Sequence, residues 1–121
     1  MSISDWGGTW KFETLEIDGR PIPRTVFASS TFVVDGDRVT TYSPEATYEA
    51  TLEINPDSTP KTFDLIFTGG PEKGNKSFGI YELDGDTLKL CLTTVGTIRP
   101  RQFATKPGTG HAFETLKREH A

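Results

Sequence analysis

Residues 79–92, GIYELDGDTLKLCL, carry two runs of alternating apolar and polar residues on either side of an Asp-Gly-Asp corner. Alternation marks a strand with one dry and one wet face, and an Asp-Gly corner between two such runs predicts a β-hairpin. With Gly85 and Asp86 as the two-residue loop, Leu83 falls opposite Leu88, Tyr81 opposite Leu90 and Gly79 opposite Leu92. Glu82 then faces Lys89 on the reverse side, where Cys91 pairs with Ile80.

The same corner occurs upstream. Asp35-Gly36-Asp37 lies within FVVDGDRVTTY, an echo of YELDGDTLKLC, and predicts a second hairpin over residues 31–43 with Phe32, Val34 and Val39 on one face. Residues 46–54 alternate most cleanly, sending Ala46, Tyr48, Ala50, Leu52 and Ile54 inward, and residues 61–68 turn Phe63, Leu65 and Phe67 to one side. Residues 9–17 form the first strand, with Trp10, Phe12 and Thr14 on one face and Leu15 and Ile17 on the other. Pro21 and Pro23 keep residues 20–24 out of any helix interior or central strand, and residues 26–30 suit a short helical or irregular cover. The loop GGPEKGNK at 69–76 is polar and flexible, as an entrance would be. After residue 92, Pro100 and Pro107 leave room for one short strand at 101–105 before the last strand at 111–119. Short strands joined by hairpins, with no parallel crossover, predict an all-β fold: a single antiparallel up-and-down β-barrel of about eight strands, in one domain over residues 1–121.

Composition narrows the function classes. A net charge of −4 and scattered basic residues give no electrostatic footprint for nucleic acid. The lone cysteine, Cys91, allows no internal disulfide, no run is long enough to span a membrane, and the start MSISDWGGTW lacks a signal peptide's basic and apolar segments. A cytoplasmic protein is expected. Nothing in the sequence separates a monomer from a homodimer.

No stretch spells out a reaction. The loop at 69–76 resembles a phosphate loop only superficially, because Asn75 stands where that motif needs lysine and a strand follows where it needs a helix. The Asp-Gly-Asp corners lack the further oxygen ligands of a calcium loop, and His111, His120 and Cys91 lack zinc-ligand spacing. Cys91 reads as a packed thiol. No metal and no cofactor are expected. What remains is the barrel interior, where Phe12, Thr14, Phe32, Tyr48, Ala50, Phe63, Leu65, Phe67, Tyr81 and Leu90 give an apolar wall with a few fixed hydroxyls. These are the candidate ligand-binding residues, together with Arg99, which beside the last strands is placed to gate a mouth or hold an acid group. An eight-stranded barrel is just wide enough either to fill itself with side chains or to hold one small ligand, and both readings stand at this point.

Gly8-Thr9-Trp10 at the start of the first strand and Lys117-Arg118 at the end of the last resemble the lipocalin signature. There a G-x-W tryptophan closes the barrel base under a basic side chain from the final strand. More specifically, GTWKFETLEIDGRPIP, DGDRVT, GIYELDGDTLKLC, the segment from Arg99-Pro100 to Phe103 and the terminal LKRE resemble a small bacterial lipocalin-like domain common in planctomycete proteins. The resemblance covers nearly the whole chain. It implies a barrel with Arg118, or Lys117 in another register, over Trp10, and a binding cavity without catalytic residues to carry over. The leading expectation is binding of a small hydrophobic or aromatic molecule oriented by Tyr48 or Tyr81. The alternatives are a cofactor-independent cyclase or isomerase acting on a hydrophobic intermediate in the same space, with a tyrosine, Glu16 or an arginine as acid or base, and an interaction domain with a filled core.

Overall fold

The computed structural model describes residues 3–120. A 3-10 turn, Ile3–Trp6, leads into nine strands: β1 (Gly8–Ile17), β2 (Arg20–Pro21), β3 (Thr31–Asp35), β4 (Arg38–Tyr42), β5 (Thr47–Asn55), β6 (Thr62–Gly69), β7 (Lys76–Asp84), β8 (Thr87–Thr93) and β9 (His111–Arg118). A four-residue helix, α1 (Arg24–Phe27), lies between β2 and β3. Every pairing is antiparallel, each strand from β3 to β9 lies beside the next, and β1 pairs with both β3 and β9. The sheet therefore closes into an eight-stranded barrel, to which β2 adds a short ninth strand on the end of β1. Closure gives each barrel strand two neighbours and removes the unpaired edge that an open sheet exposes.

The central hairpin has the register its sequence predicts: Gly79 opposite Leu92, Ile80 opposite Cys91, Tyr81 opposite Leu90, Glu82 opposite Lys89 and Leu83 opposite Leu88. Its echo pairs Val34 with Val39 and Asp35 with Arg38. At each corner the positive φ falls on the first loop residue, 62° at Gly36 and 58° at Gly85, the backbone that a type II′ turn demands and glycine supplies without a Cβ clash. Gly79 serves packing instead. A Cβ there would come within 2.4 Å of the Phe63 ring, so the aromatic lies over the bare backbone of its cross-strand partner.

The first strand departs from simple alternation. Between Phe12 and Thr14 its register with β9 shifts by one residue, leaving Glu13 as a β-bulge. Trp10 and Phe12 pack inward below the bulge and Leu15 and Ile17 inward above it, whereas Thr14, expected inward beside Phe12, is exposed. A bulge inserts one residue and so reverses the faces of everything beyond it.

One end of the barrel is sealed. Trp6 and Trp10 are both fully buried, and Trp10 Nε1 donates to the Trp6 carbonyl at 2.8 Å. The Trp6 ring meets Tyr81 and Phe63 edge-on, with centroids 4.9 and 5.6 Å apart. Leu52, Leu88 and Leu116 complete this floor. Arg118 lies over Trp10 with its guanidinium carbon 4.3 Å from the ring centroid, as expected for the basic residue of the last strand. Its Nε donates to Asp86 at 2.9 Å, while Nη1 and Nη2 reach the Gly7 and Asp5 carbonyls. The cation is thus held by hydrogen bonds on its rim and by the indole face below.

The segment between β8 and β9 contains no strand, contrary to the expectation for residues 101–105. It crosses the outer face of the sheet as a strap. Pro100 is buried, Phe103 packs on Phe113 with centroids 6.0 Å apart, and the outward side chains of Ile80 and Cys91 are almost fully covered. The strap's amides and hydroxyls bond to side chains rather than to a ladder: Thr105 bonds the Glu16 carboxylate, its Oγ1 accepts from Gly19 N–H, and Gly110 N–H donates to Asp18. Glu16 is thereby held outside the barrel.

Candidate functional site

Above the floor the barrel opens into a cavity of about 490 Å³. Its walls come from the inward faces of the strands: Phe12, Leu15 and Ile17 of β1, Phe32, Val39, Tyr48 and Ala50 of β3 to β5, Leu65 and Phe67 of β6, and Leu90 and Leu92 of β8. The mouth is built by the connections at the other end. Val26 and Phe27 of α1, Ser43 to Glu45 between β4 and β5, Glu72 between β6 and β7, and Thr94 after β8 all contribute to its rim. This end is open because β3 pairs only with residues 8–11 of β1, leaving the upper half of that strand to be flanked by α1 and its connections.

Of the residues expected to bind a ligand, Phe12, Phe32, Tyr48, Ala50, Leu65, Phe67 and Leu90 share this cavity wall. Phe63 and Tyr81 do not reach it, because the Trp6 turn fills the layer in which they lie. Burial also raises the pKa of the Tyr81 phenol above its ordinary value. Thr14 is on the outer surface. Arg99 is no gatekeeper: it sits outside the barrel, where Nη1 donates to the Phe63 and Gly79 carbonyls at 2.9 and 2.8 Å and Nη2 pairs with Asp64 at 2.7 Å. Its guanidinium carbon lies 5.5 Å from the centroid of the Phe78 ring. Arg99 fastens the strap to the sheet.

The residue that composition and pattern did not single out is Glu114. On β9, Ala112 and Leu116 belong to the buried core, and Glu114 lies between them on the same inward row. Its register partners are Leu15 and Leu90, both cavity residues, so the carboxyl projects between apolar side walls just above the floor. It has no hydrogen bond or ion pair with any described residue, and the part of it that remains open faces the cavity. Dehydration without a compensating partner pushes its pKa up to about 7.

The polar side chains sharing the cavity are hydroxyls, Ser30, Thr41, Ser43, Tyr48, Ser77, Thr93 and Thr94, and two further carboxylates at the rim, Glu45 and Glu72. Among the described residues no lysine, arginine or histidine lines it. The cysteine is elsewhere: Cys91 faces the strap, 3.6 Å from the Ala104 carbonyl, and burial pushes its thiol up to about 11, away from nucleophilic reactivity. Among the described residues no group of three or more histidine, cysteine, aspartate or glutamate side chains converges as metal ligands would, and no helix is long and apolar enough to cross a membrane.

The chemistry available is therefore apolar enclosure, several hydroxyls, and one carboxyl able to give or take a proton near neutrality. No protein-family model, curated protein or solved structure matches the chain.

Proposed function

We propose that this protein is a lipocalin-like binding module that holds one small hydrophobic or aromatic molecule inside the barrel. The observation that carries this reading is the cavity itself, sealed below by Trp6 and Trp10, walled by rings and leucines, and open at one end. Its volume falls within the roughly 300–1,000 Å³ of small-molecule sites, and its composition, mostly apolar with a few oriented polar groups, is that of such sites. Tyr48 is the wall hydroxyl on an aromatic scaffold that suits it to orient a ligand. The similarity of the Gly8-Thr9-Trp10 and Arg118 elements to lipocalins supports the same reading, and the single cysteine suits a cytoplasmic setting.

A thermal-shift screen of hydrophobic dyes, fatty acids and polyketides tests it. A ligand present at a hundred times its Kd stabilises a protein by about 2.7 kcal/mol, a readily measured rise in Tm. Hits should raise the Tm of the native protein but not of Ala50→Trp, in which an indole occupies the cavity. No hit from a broad panel overturns the proposal.

One observation favours a second reading, a cofactor-independent cyclase or isomerase. Glu114 is a carboxyl with its pKa near neutrality in an apolar enclosure, the setting in which general acid–base catalysis is effective. A hydrophobic substrate converted by the native protein and left unchanged by Glu114→Gln, yet bound equally by both, would establish that reading over simple binding.

A further inference from the structure

The ionisable head groups that line the cavity at its floor and rim are carboxyls. Glu114 stands deep, Glu45 and Glu72 stand at the rim, and no basic side chain among the described residues lines the space between them. We infer that the molecule taken up is a hydrophobic amine, whose ammonium group pairs with Glu114 while its apolar body lies along the walls above. This rests on the binding reading given above and names its ligand class.

Three ligand types can be compared by what each does to the interior. A fatty acid would bring a carboxylate into an apolar enclosure that holds no cation, next to another carboxyl, so it would have to shed its charge to enter. A neutral hydrophobe fills the volume but leaves Glu114 without an ionic partner. A protonated amine converts two separately expensive groups into one hydrogen-bonded ion pair, the arrangement in which buried charges are ordinarily found. The rim carboxylates add a field that draws cations toward the mouth and turns anions away. Because Glu114 is just above the floor, the amine goes in first. The alkyl or aryl part then meets Ile17, Phe27, Phe67 and Leu92 nearer the opening.

Binding then moves a proton. In the empty cavity the Glu114 carboxyl keeps its proton below about neutrality. The arriving ammonium retains its own protons, the carboxylic acid releases one to solvent, and an ion pair remains. None of the side chains packed beside it supplies this signal in its place. β1 and β8, the strands beside Glu114, present Leu15 and Leu90 to it. Glu16 is held outside by Thr105, Lys89 lies on the outward face and Cys91 stays neutral under the strap. Arg24 of α1 bonds the Glu13 carbonyl, and neither residue lines the cavity. Across the cavity are Tyr48, Glu45 and Glu72.

Three probes of the same body and different head groups test the inference: 4-phenylbutylamine, 4-phenylbutan-1-ol and 4-phenylbutyrate, titrated calorimetrically into the native protein and into Glu114→Gln. The amine is expected to bind about tenfold or more tightly than the alcohol, and the carboxylate more weakly than both. At pH 6, titrations in buffers of different ionisation enthalpy should show close to one proton released per amine bound, with the affinity rising toward pH 8. In Glu114→Gln the proton release should vanish and the preference for the amine over the alcohol should collapse, with the far-ultraviolet spectrum of the native barrel showing that the variant is folded. Equal binding of the three probes to the native protein, or an amine preference that survives in Glu114→Gln, overturns the inference and leaves the cavity reading intact. If none of the three binds to a protein whose cavity takes up a neutral dye, the amine assignment alone fails. If the dye also fails to bind, the cavity reading fails with it.

Discussion

Replacing Glu114 by glutamine should change how stability depends on pH, in a direction and by an amount that follow from the fold. In an unfolded chain a glutamate titrates near 4.5, whereas in the barrel Glu114 holds its proton to about 7. Between these values the folded state keeps a proton that the unfolded state has lost, so unfolding releases it and stability falls as pH rises. The contribution is fully present below pH 4.5 and gone above 7. At about 1.36 kcal/mol for each pH unit, it amounts to about 3 kcal/mol across that window. For a chain of this size that corresponds to roughly 10 °C in Tm. Glutamine has no proton to lose. Other groups, including Asp18 and Asp86, whose carboxyls are held below their usual range by hydrogen bonds from the Gly110 amide and from His120 respectively, contribute equally to both proteins and cancel in the difference. Urea unfolding of the two proteins at half-unit steps from pH 4.5 to 8 should give curves that diverge by about 3 kcal/mol, the native protein losing ground as pH rises. Parallel curves would mean that Glu114 is hydrated or partnered in solution, and the account of a dehydrated Glu114 carboxyl would be refuted.

Three further outcomes follow from the same contacts. Arg118→Ala removes the cation from the Trp10 face and its bonds to Gly7, Asp5 and Asp86, and should cost about 2 kcal/mol in chemical denaturation, with Arg118→Lys recovering only part because an ammonium lacks the fork; a loss below half that value would reduce the contact to decoration. Gly79→Ala drives a methyl into the Phe63 ring and the Cys91 carbonyl and should destabilise by about 1–3 kcal/mol despite the better strand propensity of alanine, read from the urea midpoint. Arg99→Ala unfastens the strap from β6 and β7, so thiol-reagent labelling of Cys91 at pH 8 should accelerate at least about tenfold while the far-ultraviolet spectrum stays that of the native barrel. Unchanged labelling would show that the strap is held elsewhere.

The parts of the fold that could be read directly from the chain are those in which a single local rule is sufficient. The Asp-Gly-Asp corners determine both hairpin registers, because a two-residue loop leaves no freedom in which residues face each other. The strand around Tyr48 and Ala50 follows from period-two alternation. The same rule misplaces Thr14, since alternation assumes an uninterrupted ladder and nothing in KFETL announces that Glu13 will be skipped. The strap eluded pattern reading for another reason: its apolar residues, Pro100 and Phe103, address the outside of a sheet that the rest of the chain must build first. Arg99, expected at a mouth, is set instead by partners that are all distant in sequence, two backbone carbonyls and Asp64. Glu114 was within reach. In HAFETLKR the row Ala112, Glu114, Leu116 shares the face that must point inward, and a charged residue interrupting an apolar row is a signal of function rather than of packing.

The extra residue at Glu13 divides the first strand into two halves whose orientations are set independently. The lower half, with Trp10 and Phe12, belongs to the plug, and the upper half, with Leu15 and Ile17, belongs to the opening. Removing that one residue would take out the bulge and leave the pairings on either side as they are, Phe12 with Leu116, Thr14 with Thr115 and Leu15 with Glu114, so Leu15 and Ile17 would still face the lumen. A lineage that lost Glu13 would thus relax the local twist of this strand and keep both its entrance and its base, because partners in the ladder, and not chain length, decide which way each half looks.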